Sequence, residues 1–138
     1  MKKDFWEDWK RKNKIELKGI EVVKKARNLI LKNLPKREIV GIYCKGSFPR
    51  REMNKSSDID MLTILKHSKY LPKLERLQKA NKKSLGLPVH LSGISIYELK
   101  KGKHCKTSKK KASTSRVLKQ IPNYKITYGK GLEKHNFP

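Results

Sequence analysis

Acids are scarce in this chain. Against 36 Lys+Arg there are only 12 Asp+Glu, a formal charge of +24 at pH 7, and no acid occurs between Leu99 and Leu132. A compact body with that excess repels itself unless anions neutralise it, so a polyanion is the expected partner, RNA ahead of DNA. Heat adaptation alone does not account for the imbalance, because it raises Lys and Glu together. Cysteine is nearly absent too: Cys44 sits in an apolar run and Cys105 among lysines. Settings so unlike do not pair as a planned disulfide, and with no histidine at ligand spacing they make no zinc site. Cys44 reads as a small core residue. No stretch reaches the roughly eighteen consecutive apolar residues that span a bilayer. The opening MKKDFWEDWKRKNK lacks the apolar core of a signal peptide, so a cytoplasmic location is expected.

What is present fits one domain of 138 residues, enough for a single core of two or three layers. Phe5, Trp6 and Trp9 form one stripe if the N-terminus is helical, and either dock on the body or stack on bases beside lysines. Val22, Val23, Ala26, Leu29 and Ile30 share one helical face over residues 15–34, which end before Pro35. Ile39–Cys44 and Ile59–Leu65 read as strands joined by a polar loop with room for one helical turn. Ser68 with Pro72 opens a helix over 70–84, with Gly86 as its stop. Val89–Ile96 is a third strand, after which Ser95 and Glu98 have the spacing of a capping box. Residues 100–116 read as a basic, mobile loop. A helical turn over Arg116–Gln120 and a strand over Tyr124–Tyr128 complete the chain. The four apolar runs are expected in one mixed sheet with helices packed against it, an α+β arrangement.

The richest stretch is GIYCKGSFPRREMNKSSDIDMLTIL, residues 41–65. Successive strand residues point to opposite faces, so Asp58 and Asp60 project together while Ile59 and Met61 pack on the other side. Two carboxylates on one rigid element suit a hard divalent cation, which prefers oxygen ligands and shares its shell with substrate phosphates. Gly46-Ser47, at the end of the preceding strand, lets backbone N–H groups come close to a phosphate.

An apolar strand, Gly46-Ser47, ten intervening residues and then Asp58-Ile59-Asp60 in a second apolar strand together resemble the nucleotidyltransferase superfamily. Its members include DNA polymerase β, poly(A) polymerases, kanamycin nucleotidyltransferase and the minimal nucleotidyltransferases of archaea and bacteria. The resemblance implies a nucleotidyltransferase-like fold, a nucleoside triphosphate substrate, and Mg²⁺ or Mn²⁺ held by Asp58 and Asp60. It also implies phosphates gripped at Gly46 and Ser47, with Lys45, Arg50 or Arg51 offsetting charge on pyrophosphate. The minimal enzymes usually follow Gly-Ser with Arg-Ala-Arg-Gly, where this chain has Phe48-Pro49-Arg50-Arg51.

The superfamily commonly adds a third carboxylate on a later strand. After Asp60 the only acids here are Glu75, Glu98 and Glu133, none well placed for that role. His90, in the third predicted strand, either stands in for it, since a neutral imidazole binds metals and accepts protons, or is a partly buried histidine bonded to a neighbour. Two functional classes follow. One is transfer of a nucleoside monophosphate to a hydroxyl on an RNA end or on a partner protein, such as a toxin held by an antitoxin-type enzyme. The other is a scaffold that has lost turnover and binds nucleic acid or a protein partner, gripping phosphates with Lys109, Lys110 and Lys111.

Overall fold

A computed structural model describes residues 4–81, 84–101, 104–106 and 111–129. The strands are β1 (Ile39–Lys45), β2 (Ile59–Leu65), β3 (Val89–Ser95), β4 (His104–Lys106), β5 (Lys111–Ser113) and β6 (Lys125–Gly129). The helices are α1 (Lys14–Asn33), α2 (Leu71–Ala80), α3 (Ile96–Lys101) and α4 (Thr114–Gln120). Four strands form one mixed sheet in the order β3-β2-β1-β6. β1 runs antiparallel to both β2 and β6, while β2 and β3 are parallel. The parallel pair needs a crossover, and α2 supplies it.

Alternation along the strands divides the core in two. Ile42, Cys44, Ile59, Met61, Leu65 and Leu91 join Val22, Val23, Ala26 and Ile30 of α1 and Leu71 and Leu74 of α2. On the other face Tyr43, Leu62, Ile64 and Ile94 meet Leu99 and Ile121. Asp60 alternates with Ile59 and Met61, so it shares the second, thinner face with Leu62 and Ile64. Burial within the first core pushes the Cys44 thiol far above its ordinary pKa, which keeps it protonated and unreactive.

α1 begins where its cap dictates. The Asn13 side chain accepts from the Glu16 N–H at 2.8 Å and the Glu16 carboxylate accepts from the Asn13 N–H at 3.0 Å. The N-terminal segment is docked rather than free: Trp6 is 3% exposed, and Arg27 of α1 bonds Asp4 at 2.8 Å and the Thr127 carbonyl at 3.0 Å. Among the described residues no helix is long and apolar enough to cross a membrane.

Three segments depart from the sequence reading. The second helix stops at Ala80 instead of 84, because the Asn81 side chain donates to the Leu77 carbonyl at 2.9 Å and closes it. Gly86 lies in the turn beyond, at φ +104°. The loop between β1 and β2 holds turns and no helical turn. Within 100–116 the described residues are not open loop: α3 reaches Lys101, β4 and β5 pair antiparallel, and α4 starts at Thr114, while 102–103 and 107–110 lie outside the described residues. A backbone ladder forms there without the apolar alternation by which strands are read from sequence.

Candidate active site

Three strands bring the charged residues to one end of the sheet. In the register, Lys45 of β1 lies opposite Asp60 of β2, and Asp60 lies beside His90 of β3. Directly opposed positions share a face, so a cation, a carboxylate and an imidazole form one row. Asp58 stands one residue before β2, with Ile59 between the two carboxylates fully buried on the opposite face. The His90 Nε2 and Asp58 Oδ2 atoms are 2.9 Å apart, and both side chains remain about two-fifths exposed, 39% and 42%. Gly46 closes the row. Its φ is +80°, and a Cβ placed there would lie 2.9 Å from Asp60 Oδ2. Only glycine combines that backbone with that approach.

These donors fit a hard divalent ion that completes its shell with phosphate oxygens, since Asp58 and Asp60 offer charged oxygens beside a glycine turn. Among the described residues no group of three or more His, Cys, Asp and Glu side chains is arranged to hold a metal ion. The model of the nucleotidyltransferase domain family matches residues 23–119 of the chain. The chain belongs to that family. No curated protein and no solved structure gives a significant match.

In this nucleotidyltransferase domain the turn after β1 is tightly made. The Glu52 N–H donates to the Ser47 carbonyl at 3.0 Å and the Arg51 N–H to the Phe48 carbonyl at 3.1 Å. Phe48 is 1% exposed and its ring lies 5.3 to 6.0 Å from those of Phe5, Trp6 and Trp9. Of the two readings of the N-terminal aromatics, docking is the one the structure displays. Arg50 pairs with Glu52 at 3.3 Å on the surface. Arg51 occupies the position at which the minimal enzymes carry glycine, and its φ is +58°. Its guanidinium is engaged with Glu16, the Lys10 carbonyl and the Trp9 ring, so a phosphate-neutralising Arg51 does not fit this arrangement. The Arg51 hydrogen bond holds the Glu16 carboxyl below its ordinary value of 4.5. Stability from this pair is thus fully present above the ordinary carboxylate range and is lost as pH falls through the lowered Glu16 value.

No third carboxylate joins the row among the described residues. Glu75 pairs with Lys79 on α2 at 3.6 Å, and the Glu98 N–H donates to Ser95 Oγ at 3.4 Å, as the capping spacing predicts. Glu133, Lys109 and Lys110 lie outside the described residues, and Lys111 begins β5. One neighbour of the site escaped the sequence: Tyr124. The Lys45 Nζ lies 5.8 Å from its ring centroid, and its hydroxyl donates to Gln120 Oε1 at 3.2 Å. Partial burial, and then the charge of Asp60, push its phenol above the ordinary value. Pairing of β6 with β1 brings Tyr124 there, and nothing in its local sequence marks it.

Proposed function

We propose that this domain transfers a nucleoside monophosphate from a nucleoside triphosphate to a hydroxyl acceptor, with RNA ends the favoured acceptors. The observation that carries the reading is the convergence of Lys45, Gly46, Asp58, Asp60 and His90 in a family of this chemistry. Asp58 and Asp60 would hold Mg²⁺ or Mn²⁺. That ion, when bound, neutralises the triphosphate and makes its α-phosphorus more electrophilic. The backbone at Gly46 and Ser47 grips the outer phosphates, and Lys45 and Arg50 offset the charge that builds on them. His90 takes the proton of the attacking hydroxyl through an imidazole nitrogen while Asp58 stabilises the resulting imidazolium. The acceptor oxygen then bonds to the α-phosphorus, the bond to the β-phosphate breaks, and pyrophosphate leaves. Incubation with each α-labelled triphosphate, Mg²⁺ or Mn²⁺, and either RNA or total protein is expected to give metal-dependent label on the acceptor. Absence of transfer with every triphosphate and both metals would count against the proposal. Label appearing on protein alone would move the acceptor to a partner protein of the toxin type.

The choice of RNA rests on the +24 charge and the acid-free run from Leu99 to Leu132. Binding through several phosphates makes the logarithm of affinity fall linearly with the logarithm of salt concentration, with a slope of about −0.7 per contact on a single strand. Neutralising Lys109, Lys110 and Lys111 together should flatten that slope and weaken all sequences alike, because phosphate contacts carry no base information. Filter binding across a salt series checks this, and a flat wild-type response leaves the lysines as a solvated surface.

A further inference from the structure

The turn that follows Gly46 is clasped from outside by residues between Phe5 and Glu16. Its backbone requires a left-handed residue at Arg51, φ +58°, a conformation that side chains with a Cβ disfavour. Something must hold arginine there. The Glu16 side chain, 5% exposed, accepts from Arg51 Nε at 2.7 Å and from Nη2 at 3.0 Å. The same Nη2 also donates to the Lys10 carbonyl at 3.0 Å, and the guanidinium lies 4.8 Å from the Trp9 ring centroid. Trp9 in turn packs edge-on against Phe48, with centroids 5.3 Å apart. Phe48 and Arg51 are therefore both held by side chains or backbone between Phe5 and Glu16. Glu16 is itself fixed by the Asn13 cap, so the clasp is referred back to the start of α1 and not to a loose tail.

We infer that Glu16 is a positioning residue for the phosphate-binding turn, holding Arg51 left-handed so that the backbone at Gly46 and Ser47 stays set for a triphosphate. The inference rests on the proposal that this turn grips the nucleotide. A carboxylate this enclosed is costly to leave unpaired, so Glu16 and Arg51 hold each other in place. Releasing Arg51 lets the turn sample other conformations, and the apparent affinity for triphosphate falls by the fraction of molecules still competent. Such a loss raises KM and leaves kcat nearly untouched, because ground state and transition state lose the same grip.

Glu16→Gln tests this with the least damage, since glutamine serves equally well in the capping box while the charge on Arg51 loses its partner. KM for the triphosphate should rise about tenfold, the effect of losing one charged hydrogen bond, with kcat changed by less than about twofold. Hydrogen exchange at the Arg51 and Glu52 amides should quicken. Adding Arg51→Gly to Glu16→Gln should then recover most of the lost affinity, because glycine adopts the left-handed conformation unaided. The double variant carries neither charge of the pair, and compared with Arg51→Gly alone it decides the matter should Glu16→Gln fail to fold: equal affinity supports the clasp, unequal affinity opposes it. Unchanged KM and exchange in Glu16→Gln would overturn the inference. So would a double variant weaker than Glu16→Gln, which would show the Arg51 cation acting on phosphate directly. If the wild type transfers no label from any triphosphate, the functional proposal falls by itself. Exchange at Arg51 and Glu52 then judges the clasp alone, with faster exchange in Glu16→Gln supporting it and unchanged exchange refuting it.

Discussion

Replacing Asp58 and Asp60 together by asparagine is expected to reduce nucleotide transfer at least about a hundredfold, a barrier increase of about 3 kcal/mol, while the protein stays folded. Asparagine preserves the shape of each side chain and one acceptor oxygen, but both negative charges are lost. A hard divalent cation beside a triphosphate depends on those charges, and Coulomb attraction at contact distance grows as water is excluded from the site. The fold does not depend on them in the same way. Asp58 precedes β2 and is 42% exposed, and the residues that pack the strand are Ile59, Met61 and Leu65. Label transfer measured beside a thermal melt separates the effects. A folded double variant that transfers at the wild-type rate would show that these carboxylates do not hold the metal.

Gly129→Ala is expected to cost about 3 kcal/mol of folding stability, within the range for steric insertion at a strained backbone position. Gly129 ends β6 at φ +77°, and a Cβ there would overlap the Val40 carbonyl oxygen and lie 3.0 Å from Gly41 Cα. Those neighbours are backbone of β1, so no side chain can swing aside to relieve the clash. Gly41 and Gly129 are partners in the ladder, and the two strands come together without a side chain between them. The midpoint of thermal unfolding should fall by roughly 10 °C on the usual scaling for a chain of this size. A change of less than about 1 kcal/mol in chemical denaturation would mean that β6 is not held against β1 as described. Because β6 follows Tyr124, the same variant should disturb the surroundings of Lys45 as well.

The central sheet was legible because each strand announces itself locally. Ile59–Leu65 is apolar except at Asp60 and the buried Thr63, and the Asp-apolar-Asp spacing places two carboxylates together by alternation alone. Gly46 was legible for the same reason, since a glycine at a strand end beside acids marks a close approach. What stayed hidden depends on partners far away in sequence. Arg51 looks like a free cation in a basic loop, and only the fold reveals Glu16 35 positions earlier as its counter-charge. Phe48 reads as a loop residue until the N-terminal aromatics enclose it. Tyr124 reaches the site through the β1 and β6 pairing, which no short window contains. The β4 and β5 pairing was concealed by lysines, whose presence says nothing against a backbone ladder.

The family match begins at residue 23 and ends at 119, whereas β6 spans Lys125–Gly129 at the outer side of β1. A fragment cut to those limits would leave β1 bare along one margin, its N–H and C=O groups unpaired and facing solvent. An uncovered, apolar margin of that kind recruits strands from neighbouring molecules. Such a fragment should therefore self-associate into sheet-rich oligomers, and the five-residue strand that shields β1 acts as the molecule's protection against its own kind.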